Sequence, residues 1–217
     1  MGKPPTRSGG RQCRRWPIRL KNWIWAINQS NYTVIYDACV PYPAPLRDIL
    51  MELAGTGLFR AKWSARIHDE WTRNLLVNRQ DLNPEKLART VELMNDAVPD
   101  CLVEGYEDMI EGLVLPDPDD RHVLAAAIHS SCDAIITMNL QDFPTKHVGK
   151  YDIEVLHPDD FIFNQFGLDT AAVLNSVQRC RARLRKPPKS AAEFLERLEA
   201  QGLPKTVAEL RPFESVI

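Results

Sequence analysis

Four carboxylates in this chain stand where apolar runs begin or end, or on the face of a helix. Asp37 follows the β-branched and aromatic run Thr33-Val34-Ile35-Tyr36 and precedes Pro41, Pro43 and Pro45. Asp120 stands in front of Arg121-His122-Val123-Leu124-Ala125-Ala126-Ala127-Ile128. Asp142 follows Ala134-Ile135-Ile136-Thr137 after a short polar turn, and Glu70 lies within the amphipathic stretch Trp63 to Val77. Carboxylates gathered in one small pocket repel one another, at a cost of about 1 kcal/mol or more per close pair in a partly buried setting. Such a cluster persists when a divalent cation occupies it. An oxygen-only donor set without a His or Cys group suits Mg²⁺ or Mn²⁺.

Each acid also has a plainer role open to it. Asp37 fits a turn before prolines. Glu70 fits a solvated helix acid paired with Arg66 or Arg73 at helical spacing, and it shares a face with Asn74. Asp117 fits an N-cap, with Pro118 at the first helical position and Asp119 and Asp120 in a first turn that favours acids. Asn139 and Asp142 fit a polar turn after a strand. No one of these positions is specific; the ordered set is.

The elements that would bring the acids together can be read from periodicity. Thr33 to Tyr36 reads as a buried strand, and Leu46, Ile49, Leu50 and Leu53 predict a helix over about Ala44 to Ala54. Helices follow over Trp63 to Val77, with Ser64 as a plausible N-cap, and over Pro84 to Asp96. A short strand is expected at Cys101 to Val103 and a short helix at Tyr106 to Glu111. Then come a helix opening at Arg121, a strand over Asp133 to Thr137, a last strand over Tyr151 to Leu156 and a helix over Pro158 to Phe166. Alternating strands and helices indicate an α/β domain with a mainly parallel sheet. In such a sheet strand C-termini and helix N-termini share one edge, which is where ligands bind. That edge would collect Asp37, Asp120 and Asp142, with Glu70 pointing in from its helix. Beyond Asp169 only helices are expected, over Thr170 to Leu184, Ser190 to Gln201 and Pro204 to Leu210. The chain therefore divides into residues 1–31, a domain at 32–168, and a helical appendage at 169–217.

Bulk properties narrow the class. The 217 residues are 44% hydrophobic and 26% charged, as in a globular protein. No apolar run approaches the roughly 18 residues of a membrane span, so no membrane partner is expected. Five cysteines at positions 13, 39, 101, 132 and 180, without a Cys-x-x-Cys pair, fit reduced thiols in the cytoplasm and argue against a disulfide framework or a zinc site. Residues 1–31 carry seven Lys or Arg and no acid; against −2 for the whole chain, residues 32–217 are left at −9. The extension is expected to be disordered, with a basic arm touching RNA as the alternative; it lacks the uninterrupted apolar core of a signal peptide. The acidic main domain suits a cation-loaded pocket or a basic protein partner better than direct attraction of nucleic acid.

Taken in order, strand-Asp37, helix-Glu70, Asp120-x-x-Val-Leu-Ala-x-Ala and Ile-Thr-x-Asn139-x-x-Asp142-Phe, the stretch from about Tyr32 to Phe166 resembles the PIN-domain ribonucleases, and among them the toxins of VapC-type toxin–antitoxin pairs. The appendage resembles a C-terminal extension found in one subgroup of those toxins. The resemblance implies a PIN-like three-layer α/β/α fold and a Mg²⁺- or Mn²⁺-dependent endoribonuclease cutting single-stranded loops of structured RNA. It further implies dimerisation and inhibition by a cognate antitoxin. Asp37 and Asp120 match the family's two principal metal-holding acids and Glu70 its helix acid. In many members an Asp stands where this chain has Asn139, which shifts the fourth position towards Asp142. Asp117 or Asp119 could support the metal from further out, and Thr137 could hold the loop or a water. One or two ions so held can activate water and stabilise charge developing at a scissile phosphodiester. Arg47, Arg66, Arg73 and Arg121 are the candidates for RNA backbone contacts at the rim.

Two other readings fit parts of the pattern. A Mg²⁺-dependent phosphatase would want Asp-x-Asp after the first strand, where this chain has Asp37-Ala38-Cys39; a phosphoacceptor receiver would want a second acid beside the first and a late Lys. A non-catalytic interaction module on the same fold is hinted at by Asn139 alone.

Overall fold

Four parallel strands, β1 (Thr33–Tyr36), β2 (Arg60–Lys62), β3 (Ala134–Ile136) and β4 (Glu154–Leu156), form one sheet in the order β2-β1-β3-β4 in the computed structural model, which describes residues 32–217. The basic extension over residues 1–31 lies outside the described residues. Successive side chains of a strand point to opposite faces, yet Val34, Ile35, Tyr36, Ala134, Ile135 and Ile136 are all buried. Both faces of the central strands are therefore covered, as a parallel sheet requires. This is the α/β arrangement that the alternation of elements predicts.

The helices are α1 (Ala44–Ala54), α2 (Ala65–Asn78), α3 (Pro84–Ala97), α4 (Arg121–His129), the short α5 (Thr145–Val148), α6 (Pro158–Arg183), α7 (Ala191–Glu199) and α8 (Pro204–Leu210). Helix α1 buries Leu46, Ile49, Leu50 and Leu53 and packs on α6. Helix α4 packs against β1 and β3; Ala125, Ala126 and Ala127 are fully buried there, and side chains of that size let the helix come close to the sheet.

Strand order places the site. From β1 the chain leads outward to β2 on one side, then returns through α2, α3 and α4 to β3 on the other. The order reverses between β1 and β3, and ligands of open α/β sheets bind outside the C-terminal ends of the strands at such a point. Tyr36 pairs with Ile136 in register, so Asp37 and Thr137 emerge side by side. The ladder runs one step further: Asp37 N–H donates to the Ile136 carbonyl at 3.0 Å and Thr137 N–H to the Leu156 carbonyl at 3.0 Å.

Several expectations shift by a few residues, each for a local reason. Strand β2 is not anticipated by periodicity, because Arg60-Ala61-Lys62 at the sheet edge buries only Ala61. The strand expected at Cys101 to Val103 shrinks to a single bridge between Trp63 and Leu102, with Trp63 N–H on the Cys101 carbonyl and Val103 N–H on the Trp63 carbonyl, both 2.9 Å. Trp63 is thereby taken out of helix α2, which starts after Ser64; the Ser64 hydroxyl accepts Ile67 N–H at 3.3 Å. The helix expected at Tyr106 to Glu111 is a 3₁₀ segment, Glu107–Gly112. The two helices expected on either side of Asp169 run together as α6, bent at Asp169, whose extended backbone (φ −155°, ψ 92°) interrupts the helix while its carboxylate accepts Ala172 N–H at 2.9 Å and caps the second half.

The appendage is tied to the domain by charge and by a cap. Arg179 and Arg183 both reach Glu52 on α1. Buried Asp159, near the start of α6, accepts the backbone N–H groups of Lys205 at 2.9 Å and Thr206 at 2.8 Å, capping α8 from another element. Asp159→Ala leaves both donors without that acceptor and is expected to cost about 1–3 kcal/mol. Urea unfolding reads this as a lower midpoint; an unchanged midpoint would contradict the docking role.

Candidate active site

Asp37 is 4% exposed, and its carboxylate is met by three donors. Ala38 N–H donates to Oδ1 at 2.6 Å, Thr137 Oγ1 to Oδ2 at 2.7 Å, and the Cys39 thiol to Oδ2 at 2.9 Å. The network continues into the β3 loop: Met138 N–H donates to Cys39 Sγ at 3.2 Å and Asn139 N–H to Thr137 Oγ1 at 2.9 Å. Burial pushes the Asp37 carboxyl pKa up. The bonds from Cys39, Thr137 and Ala38 pull it back down, and the charge of Glu70 raises it again. Burial also pushes the Cys39 thiol up, with the Asp37 charge adding to it. Cys39 is thus a protonated donor and not a nucleophile.

Asp120 occupies the N-cap position of α4 but makes no side-chain cap bond. Capping falls instead to Asp117, whose Oδ1 accepts Asp119 N–H at 2.8 Å across the 3₁₀ turn Pro118–Asp120. Asp117 and Asp119 are exposed and structural in this sense, and the Asp120 carboxylate is left free. Its pKa is raised to about 7, first by burial and then by the charges of Asp37, Asp117, Asp142 and Glu70. The four acids picked out by sequence spacing are therefore electrostatic neighbours. Among the described residues no three or more His, Cys, Asp or Glu side chains are closed up into a ready metal-ligand set. Glu70, Asp120 and Asp142 are partly buried, whereas Asp37 is buried.

Glu70 does not pair with Arg66 or Arg73. Its Oε2 lies 3.0 Å from Nε2 of His122 on α4, and His122 is 1% exposed. The helix carrying Glu70 is held by buried His68. Trp71 Nε1 donates to His68 Nδ1 at 2.9 Å, and His68 Nε2 bonds Asn95 Oδ1 of α3 at 3.0 Å. Trp63 Nε1 also donates to Asn95 Oδ1, at 2.7 Å. A network spanning three elements fixes the residues on either side of Glu70.

The remaining predicted residues separate. Thr137 is fully buried and serves Asp37 directly. Asp142 lies in a 3₁₀ turn, Leu140–Asp142, with its N–H on the Asn139 carbonyl at 3.0 Å. Asn139 is exposed, and its side chain makes no cap bond. Asp142 is one of the acids whose charge raises the pKa of Asp120. Asn74, Arg66 and Arg73 are exposed on α2, and Arg121 is half-buried at the start of α4. Arg47 is drawn away from the rim: it donates to the Pro41 carbonyl at 2.9 Å and lies over the Trp71 ring, 5.2 Å from its centre. Sequence reasoning missed two contributors, His122 and Cys39. The signal for His122 was a polar residue heading an otherwise apolar helical run.

Residues 33–141 match the family model described as PIN domain. The chain belongs to the PIN-domain family. The match takes in Asp37, Glu70 and Asp120 and stops one residue before Asp142. Residues 158–212 match the model described as VapC50 C-terminal domain, which supports the VapC-type branch of the resemblance and covers all of α6, α7 and α8. A protein of Mycobacterium tuberculosis (strain ATCC 25618 / H37Rv) named "Putative ribonuclease VapC50" is 35% identical over 107 residues. That alignment covers 49% of this chain and 62% of the relative. No solved structure matches this PIN-family chain.

An oxygen-rich, mutually repelling acid set around a buried carboxylate fits a hard divalent cation. The repulsion has a consequence for the metal-free protein. With a folded pKa near 7 against an unfolded value near 3.8, Asp120 holds its proton more tightly in the folded state. Its contribution to stability is full below the unfolded value and lost as pH rises through the folded one. The melting temperature in EDTA is expected to fall between about pH 4 and pH 7, and Asp120→Asn is expected to flatten that slope. A wild-type slope unchanged by Asp120→Asn would contradict the coupling.

Proposed function

We propose that this protein is a Mg²⁺- or Mn²⁺-dependent endoribonuclease, the toxin of a type II toxin–antitoxin pair acting in the cytoplasm on structured RNA. The observation that carries the reading is the buried Asp37 carboxylate at the end of β1, held by Ala38, Cys39 and Thr137, with the uncapped Asp120 near enough to feel its charge and those of Glu70 and Asp142. Membership of the PIN-domain family and the likeness to a relative named as a ribonuclease support the same reaction class. The free thiols of Cys39, Cys101, Cys132 and Cys180 suit a reducing compartment, and among the described residues no helix is long and apolar enough to cross a membrane.

Asp37 and Asp120, with Glu70 and Asp142, would hold the ion. When bound, it supplies activation of water and stabilisation of the charge that develops as a phosphodiester is cut. The protein's own groups prepare that event. Ala38, Cys39 and Thr137 orient Asp37 and favour its charged form against burial. The Asn139 side chain is free to meet a phosphate or water while its backbone stays pinned to Thr137. Arg66 and Arg73, exposed on α2, and Arg121 at the start of α4 are the candidates to meet an RNA backbone, and unpaired bases in a loop are the target class of this reading. Homodimerisation and an inhibitory antitoxin with a basic segment belong to the same reading, consistent with the −9 charge of residues 32–217.

The test is RNA cleavage with and without EDTA, followed by restoration with Mg²⁺ or Mn²⁺. Asp37→Asn keeps the side-chain volume and removes the charge; cleavage is expected to drop to background while circular dichroism stays unchanged. A variant that still cuts RNA and still responds to Mg²⁺ would contradict the assignment. Cleavage by the wild type that survives EDTA would contradict the metal dependence.

A further inference from the structure

We infer that His122 is a positioning residue: as the Nε2–H tautomer it holds the Glu70 carboxylate at the acidic edge, so that Glu70 can serve the ion. The consequence for the ion rests on the metal-dependent reading above; the hydrogen bond itself does not.

The geometry is specific. His122 lies in the first turn of α4, two residues after Asp120, and its ring is buried. Nε2 is 3.0 Å from Glu70 Oε2, while Nδ1 is buried without a hydrogen-bond partner. A neutral imidazole carries one N–H and one lone pair. An ionised carboxylate only accepts, so the proton sits on Nε2 and the lone pair on Nδ1. The opposite tautomer would set a lone pair against the carboxylate and bury a donor with nothing to receive it, which native interiors rarely tolerate. The contact is therefore a bond donated by His122 Nε2 and accepted by Glu70 Oε2.

The bond also answers a problem that the site creates. The charge of Glu70 raises the pKa of both Asp37 and Asp120, so Glu70 stands in a field that drives it away from them. Being 27% exposed, its side chain could swing into water. A donor fixed in the packed interior pins one oxygen, Oε2. Because α4 carries both Asp120 and His122, one helix supplies an acid and the donor that holds a second acid from α2. Outer-shell partners of this kind typically change metal affinity by about 10–100-fold when removed.

The test uses the full chain and Mn²⁺ alone, without RNA. In the metal-free protein, ¹⁵N NMR of the imidazoles should show His122 protonated at Nε2, with Glu70→Gln shifting that resonance; this arm needs no change at His122. By calorimetry, His122→Leu, which keeps bulk and loses the donor, should weaken Mn²⁺ binding by about 10–100-fold. His122→Gln, which can present an N–H, should recover part of the loss. His122→Leu combined with Glu70→Gln should lose less than the sum of the two single effects. An Nδ1–H tautomer, wild-type Mn²⁺ affinity in a folded Leu variant, or full additivity would overturn the inference. A wild-type chain with the Nε2–H tautomer that takes up no Mn²⁺ would uphold the hydrogen bond and overturn the metal-dependent reading instead.

Discussion

A carboxylate removed from water at the end of a buried strand must be hydrogen-bonded or lose its charge, and Asp37 is under that constraint. Its strand is covered on both faces, and Asp37 at the strand end is itself only 4% exposed. The donors that answer it come from its own turn (Ala38 and Cys39) and from the neighbouring strand end (Thr137). Each such bond contributes only about 1 kcal/mol net, and somewhat more to a charged acceptor. An unmet buried charge would cost several times that. The pairing of β1 with β3 is therefore also the pairing of Asp37 with Thr137. A one-residue slip would turn every side chain of the strand to the other face and take Asp37 away from Thr137.

The other acids follow from the same edge. The return of the chain through α2 brings Glu70 towards that edge, and α4 opens beside it with Asp120 uncapped because Asp117 has taken the capping role. The pattern is one of division of labour among similar side chains. Within Asp117-Pro118-Asp119-Asp120, one acid folds the turn and another faces the site. At the β3 end, Asn139 pins the loop through its backbone and Asp142 adds its charge to the field at Asp120. The C-terminal helices are held at α1 by Glu52 and at the start of α6 by Asp159.

Much of this was legible because it is local. Helix α1 and helix α8 begin and end where hydrophobic spacing and the flanking Pro and Gly residues put them, and Ser64 caps α2 as its type suggests. Strand β2 was not legible: an edge strand of three residues with two charged side chains has no apolar period, and it exists because β1 offers it an unpaired edge. Helical spacing includes Trp63 in α2, and its bridge to Leu102 is a long-range bond that local spacing does not carry. The order of the acids was visible, but their relation was not. Glu70 looked like a partner for Arg66 or Arg73 because helical spacing counts only neighbours on one helix. Its partner His122 is 52 residues away in sequence. Arg47 looked like a rim residue by charge, and it packs on Trp71 because a guanidinium is weakly hydrated and stacks on aromatic faces.

The account turns on Asp37, Glu70, Asp120 and Asp142 forming one cation site. Diffraction at the manganese edge from crystals soaked in Mn²⁺ tests this most directly. The account predicts anomalous density between these four carboxylates, with Asp37 among the ligands, and its loss in Asp37→Asn crystals. Density confined to other positions, or none at this edge at saturating Mn²⁺, would contradict it.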